Sequence, residues 1–406
     1  MDSLRDVSLL GNVDFRRFWG ATSISALGDG VTSVAIPLTA IVVLHANAVE
    51  IGIVTALAWL PSLLFSVHLG SLVDRFGRRR AMMIVADVVR LILLIGLWIS
   101  YTLGVLSFLQ LFVASFLLGV FSVLFTVNEN SLFVALVPSD RYVDGQALCE
   151  GGRSLAFLVG PAVGGMLVSM LSAPTALLAD AASFLSSAFL LGRIKVNDPP
   201  RQEGRISVGE GLSYIGRTLA VRVLLLITAT ANLFNIMFTT MVMLYLVEQV
   251  RLSPVVIGVV IGLGEVGGFL GAATCSRLAR RFGVGRTLLA GVLLSSLPLL
   301  AIPLTGVLAM ILAASSAAGF GGVIRDICAG TLFSALVPDN LRSRVRGAFM
   351  AVSFGARPLG ALLSGVLVTL IGLPSMLVVA AAGGAFATLW LVRSPRRLFS
   401  LTPAQD

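Results

Sequence analysis

Apolar positions in this chain fall into long continuous runs broken by short polar connections. They do not alternate, and continuous runs in place of short alternating strands exclude a β-barrel. A hydrocarbon core about 30 Å thick takes roughly 20 apolar residues per helix. Windows of about 19 residues predict twelve spans, at 19–44, 51–69, 81–100, 105–127, 147–171, 175–192, 222–247, 254–277, 287–303, 307–332, 347–370 and 375–392. These use up most of the 406 residues and leave no room for a second, soluble domain. The expected fold class is an all-α membrane protein.

The two halves of the chain resemble each other at an offset of about 200 residues. Leu132-Phe133-Val134-Ala135-Leu136-Val137-Pro138 reads against Leu332-Phe333-Ser334-Ala335-Leu336-Val337-Pro338, and Gly165-Met-Leu-Val against Gly365-Val-Leu-Val. Earlier, Arg75-Phe76-Gly77 answers Arg281-Phe282-Gly283. Each piece falls at the same place within its six-span half. The joint is the polar stretch 193–217, which carries Pro199, Pro200, Gly204 and Gly209. The expected organisation is a six-helix bundle at 1–192, a cytoplasmic linker at 193–218 and a second bundle at 219–406. Parallel six-helix halves are a mark of one class of secondary transporter.

Composition agrees: hydrophobic residues are 57%, charged residues 12%, and mean hydropathy is +0.98. The net charge of +9 is arginine gathered in every second connection. The clusters hold Arg5, Arg16 and Arg17, then Arg75 with Arg78 to Arg80, and later ones lie at 193–217, 277–286, 342–346 and 393–397. By the positive-inside rule this side is cytoplasmic, and an even number of spans puts both termini there, in a multi-pass cell-membrane protein. The basic charge is therefore an orientation signal, and no nucleic-acid partner is expected. Residues 1–18 are polar and charged, so the first span itself is expected to direct insertion. Cys149, Cys275 and Cys328 lie far apart in sequence without metal or disulfide spacing.

Three motifs carry a family resemblance. Between spans two and three stands Gly70-Ser-Leu-Val-Asp74-Arg75-Phe-Gly77-Arg78-Arg79-Arg80. Span five holds Gly160-Pro161-Ala-Val-Gly164-Gly165. The opening Phe15-Arg16-Arg17-Phe18-Trp19 through Leu27-Gly28-Asp29 joins Phe354-Gly355-Ala356-Arg357-Pro358-Leu359-Gly360 in span eleven. Over its whole length the chain resembles the major facilitator superfamily, in the twelve-span proton-coupled efflux branch of macrolide-efflux and enterobactin-exporter proteins. The first motif is similar to that superfamily's G-x-x-x-D-R-x-G-R-R loop, and the second to the Gly-Pro motif of its antiporters. Two features depart from the pattern: Ala156 stands where another Gly is usual, and Ser115 where many drug antiporters carry a basic residue. The resemblance implies two pseudo-symmetric bundles and a gating role for Gly70, Asp74, Arg75, Gly77 and Arg78. In that role Asp74 docks at the start of span eleven near Arg346 and Gly347, and Arg78 pairs with Glu129.

Ionisable groups at membrane depth carry the remaining information, because each is costly unless it meets a cavity or a partner. Asp29, Glu265 and Arg357 lie about midway along spans one, eight and eleven, which line the central cavity in the family fold. Asn232 and Asn235 of span seven add polar lining. A carboxyl group at this depth can trade a proton, so Asp29 and Glu265 are the candidate coupling acids. Two blander readings stand beside that one: a structural hydrogen bond for Asp29, and an ion pair with Arg357 for Glu265. Asp87 and Arg90 share a helix face and neutralise each other, Asp180 is a packing or capping acid, and Glu150 pairs with Arg153. Arg325 and Asp326 are adjacent, so each is expected to need an outside partner, and both are candidates for the inner vestibule. Gly160, Gly164 and Gly165 permit close helix approach, and Pro161 bends span five.

The reading is a secondary transporter, a monomer in the lipid bilayer without cofactor or metal, that exchanges protons for an amphipathic small-molecule substrate by alternating access. An importer or uniporter on the same fold is the alternative, since direction is not written in residues. No nucleophile elbow, metal motif or His/Cys cluster points to a membrane enzyme, and no G-x-x-x-x-G-K-[ST] loop to an ATP-driven pump. The orientation has a direct check. A cysteine placed at Ser207 in a cysteine-free background should resist a membrane-impermeant maleimide in intact cells and react after permeabilisation. Labelling from outside would reverse the topology.

Overall fold

The computed structural model describes residues 9–76, 78–195, 208–338 and 341–392. Within these, the side chains of residues 66–76, 139, 208–209, 343 and 391–392 are left aside. Every element among the described residues is helical, and twelve helices are long and apolar enough to cross a membrane. In hydrocarbon each backbone N–H and C=O must be satisfied within the protein, and a helix does so within its own segment.

The first six spans are α1 (Val13–Leu38, continued by a π turn at Thr39–Val43), α2 (Ala48–Phe76), α3 (Arg79–Thr102), α4 (Phe108–Leu136), α5 (Tyr142–Met170) and α6 (Ala173–Gly192). A short helix, α7 (Val208–Arg217), follows. The other six are α8 (Leu219–Glu248), α9 (Pro254–Phe282), α10 with α11 (Val284–Ser296, Ala301–Thr305), α12 (Leu308–Leu336), α13 (Arg342–Ile371) and α14 with α15 (Leu373–Phe386, Thr388–Val392). The span expected at 105–127 is longer, since α4 runs on to Leu136 through the polar stretch around Glu129. The stretch read as a polar linker contains α7, anchored by the buried Ile215, by Tyr214 donating to Leu336 O at 3.2 Å and by an ion pair of Glu210 with Arg344.

The repeated sequence does the same structural work in both halves. A residue before proline is pushed out of the helical region, so α4 stops at Val137 (φ −105, ψ 131) and α12 at Val337 (φ −108, ψ 121). The Arg-Phe-Gly copies end α2 at Phe76 and α9 at Phe282. After α9 the chain turns at Gly283 with φ +83, a conformation side chains resist.

The chain packs as two compact units, one of Met1–Leu44 with Leu64–Arg205, the other of His45–Leu63 with Ile206–Asp406. The start of α2 therefore packs with the second half, a grouping that hydropathy does not reveal. A Cβ at Gly52 would meet Ala361 O at 2.7 Å, and one at Gly365 would meet Ala48 O at 2.7 Å. In the first unit α1 and α5 touch through glycine: a Cβ at Gly160 would meet Gly30 Cα at 2.8 Å, and one at Gly164 would meet Val31 Cα at 3.0 Å. The helix runs unbroken through Pro161, and Gly160, Pro161, Gly164 and Gly165 are all buried, so the Gly-Pro motif is first of all a packing face. In the second unit α9 and α12 meet the same way, with Gly271 against Phe320 O. There Cys275 and Cys328, 53 residues apart, come to 3.8 Å as buried free thiols, a meeting that their sequence spacing conceals.

The packing face gives a test. Gly160→Ala should cost about 1–3 kcal/mol through overpacking, whereas Gly151→Ala, with nothing within 4 Å of its Cβ, should cost nothing measurable. Equal thermal unfolding midpoints for the two purified variants would show that the α1–α5 contact is not tight.

Candidate functional site

Three carboxyl groups of the first unit gather around one guanidinium. Asp87 and Arg90 are three apart on α3 and share a face, as their spacing predicts. Arg90 Nη2 donates to Asp87 Oδ1 at 2.5 Å, and both side chains are buried. The structure adds what the spacing could not show. Arg90 Nη1 also lies 3.6 Å from Asp29 Oδ1 of α1. Its guanidinium carbon stands 4.1 Å from the centroid of the Phe184 ring and 4.8 Å from that of Phe125. Asp87 and Arg90 thus do more than cancel each other on a peripheral helix, because Arg90 ties α3 to α1.

Asp180 of α6 completes the cluster. It is buried in mid-helix, not at a cap, and accepts from Thr32 Oγ1 of α1 at 2.5 Å and from Ser183 Oγ at 2.9 Å. Its room comes from Gly28, where a Cβ would collide with Asp180 Oδ1 and Ser183 Oγ. Three carboxyl groups therefore face one guanidinium, with acids in excess, and like charges in an apolar interior are costly. The excess is relieved when a carboxyl group holds a proton. Asp29 is the more open member of the pair, with its side chain 45% exposed against 2% for Arg90. Asp29 meets an ion-pair partner here, not the neighbouring backbone.

A second pair joins α4 to α5. Glu129, expected beside Arg78, is held by Arg153 Nη2 at 2.8 Å, and Arg153 Nη1 reaches Glu150 at 3.7 Å. Ser115 is buried. The rest of the gating loop cannot be placed: Gly77 lies outside the described residues, as do the side chains of Gly70, Asp74 and Arg75.

In the second unit two expectations change. Among the described residues no ion pair joins Glu265 to Arg357. Glu265 is exposed on α9, and Arg357 of α13 stands over two rings, 4.2 Å from the Trp59 centroid and 4.5 Å from that of Phe354. Arg325 and Asp326 do reach each other, Nε to Oδ1 at 2.9 Å, because the long arginine side chain folds back along α12. Asn232 is buried and donates to Ser353 O at 3.3 Å, so it ties α8 to α13. Asn235 is exposed and borders a small recess with Ser296 and Arg325.

Sequence reasoning passed over Arg90, Asp180, Thr32 and Arg153 as site members. Their signal was present, since each is polar at membrane depth, but which helices bring them together is a property of the packing. The Arg90 tie can be measured. Removing one partner from a buried pair costs about 3–5 kcal/mol, so Arg90→Met should destabilise by that order, and Asp87→Asn in the same molecule should restore part of it. A fully additive double-mutant cycle in thermal unfolding would deny the coupling.

A family model described as the Major Facilitator Superfamily matches residues 18–273 and 224–405. The multidrug efflux pump Tap of Mycobacterium tuberculosis is 28% identical over 402 residues, which cover 95% of this chain and 94% of Tap. The putative bacilysin exporter BacE of Bacillus subtilis is 28% identical over 232 residues, 53% of this chain and 54% of BacE. Among solved structures, the nucleoside transporter NupG superposes with a TM-score of 0.76 at 12% identity, over 96% of this chain and 100% of NupG. A bacterial homologue of the human lysosomal transporter Spinster gives 0.70 at 16% identity, over 96% of each chain.

Proposed function

The chain belongs to the Major Facilitator Superfamily and is a multi-pass membrane transporter, and on that premise we propose that it exports an amphipathic small molecule in exchange for protons by alternating access. The cargo class is a drug, an antibiotic or a siderophore. The similarity to Tap, a multidrug efflux pump, along nearly the whole chain supports the outward direction. The arginine bias supports a cell-membrane location with both termini cytoplasmic. The chain works as a monomer, its partners being proton, cargo and lipid, with no nucleic acid.

One observation carries the proton coupling: Asp29, half open, stands 3.6 Å from a buried arginine that already has a buried carboxylate of its own. When ionised, Asp29 joins Asp87 in neutralising Arg90 and holds α1 to α3. When protonated, it gives up that hold, and Asp87 keeps the guanidinium neutralised. A proton on Asp29 therefore changes an interhelical tie without leaving a bare charge in hydrocarbon. Binding energy that differs between two conformations is what exchange requires.

The test is flux in proteoliposomes. With an imposed pH gradient, wild type should accumulate one or more compounds from a panel of amphipathic dyes and antibiotics. Asp29→Asn should lose gradient-driven uptake while keeping downhill exchange, and Asp29→Glu should retain part of the coupled flux. Glu265→Gln, run in parallel, should stay coupled. Full coupled transport by Asp29→Asn with loss in Glu265→Gln would move the proton site to α9. Full activity in both would refute proton antiport through these acids.

A further inference from the structure

Arg90 and Arg357 are placed alike and balanced differently. Each lies at membrane depth with its guanidinium between two aromatic side chains. Arg90 has Asp87 and Asp29 as ion-pair partners. Arg357, midway along α13, has among the described residues no ion pair and no hydrogen bond. Arg325 and Asp326 are near enough to act on it with opposite signs, but Asp326 is bound to Arg325 at 2.9 Å.

Ring faces attract a cation, yet they fill none of the five N–H donors of a guanidinium. An arginine at this depth is costly and marks a functional site by default. What is missing is an acceptor, above all a negatively charged one. The surroundings describe the rest of the ligand. Arg357, Trp59 and Phe354 each keep part of their surface open. Trp59 packs against Ala56, Ile236 and Ala361, which support its ring. Aromatic rings beside a planar cation fit a flat ring system that carries an acid group.

We propose that Arg357, Trp59 and Phe354 form a binding site for the carboxylate-bearing end of a planar aromatic molecule. The guanidinium takes the carboxylate through paired, charge-assisted hydrogen bonds, and the two rings take the adjoining ring system. An anionic lipid headgroup offers similar chemistry, but headgroups lie at the membrane surface and Arg357 lies at mid-span. The proposal rests on the export reading only in naming this molecule as cargo. Its own test needs neither flux nor gradient.

Equilibrium dialysis of the full chain in phosphatidylcholine nanodiscs, with labelled 1-naphthoate and its cationic counterpart 1-naphthylmethylammonium as probes, supplies that test. Wild type should prefer the carboxylate. Arg357→Gln should weaken naphthoate binding by at least about tenfold, the loss of roughly one charge-assisted pair, and should leave the cation's binding unweakened. Arg357→Lys should recover part of the affinity. Trp59→Ala should weaken both probes. Asp29→Asn should keep the preference for naphthoate over the cation, whatever the neutral side chain does to the overall affinity, so failure of proton exchange would not imitate failure of this site. Unfolding midpoints of each variant confirm that folded protein is compared. Equal naphthoate affinity in wild type and Arg357→Gln, preference for the cation, or displacement of naphthoate by phosphatidylglycerol added to the nanodiscs would overturn the proposal.

Discussion

Charge inside hydrocarbon is the constraint around which this molecule is arranged. A single ionised side chain at mid-membrane costs about 3 kcal/mol by insertion scales, so each one present must meet a partner, an opening or a ligand. The first unit meets the constraint by clustering. One guanidinium, held between Phe125 and Phe184, is shared by Asp87 and Asp29, while Asp180 is quieted by Thr32 and Ser183. The small residues of α1 follow from this arrangement. Gly28 makes room for Asp180, and Gly30, the residue after Asp29, brings α5 into contact.

The chain departs from the antiporter pattern it resembles and still keeps a buried cation in the first unit. Span four has Ser115 where many drug antiporters carry a basic residue, and Ser115 is buried. The guanidinium of the first unit comes instead from Arg90 on α3, which reaches across to the acid of α1. Arg90 and Asp29, the proposed coupling acid, therefore sit on two helices that also share Asp180's helix as a neighbour. A change in the charge of Asp29 acts on packing directly, through a side chain that is fully enclosed apart from that one open partner.

Much of the architecture was legible in the residues, because hydrocarbon imposes so few solutions. Twelve apolar runs became twelve spans, and the Leu-Phe-x-Ala-Leu-Val-Pro repeat ended α4 and α12 alike because proline dictates the residue before it. Local chemistry was legible where partners share a helix, as with Asp87 and Arg90 or Glu150 and Arg153. What spacing could not supply was contact between helices. Glu129 meets Arg153, Arg90 meets Asp29, and the start of α2 packs on α13. The adjacency rule failed for Arg325 and Asp326 because a four-bond arm can fold back to its neighbour. The helix α7 was hidden in a stretch read as linker because its apolar face is short and its anchors are single residues, Ile215, Tyr214 and Glu210.

The claim that a proton is held at Asp29 beside Arg90 can be examined without cargo. Infrared difference spectra of the purified protein in lipid, taken as the medium goes from mildly alkaline to mildly acidic, report the carbonyl band of a newly protonated carboxylic acid. Wild type should show such a band, shifted when Arg90 is replaced by lysine, and Asp29→Asn should lack it. A carbonyl band of unchanged intensity in Asp29→Asn would mean that the proton binds elsewhere, and the coupling assigned to this cluster would be wrong.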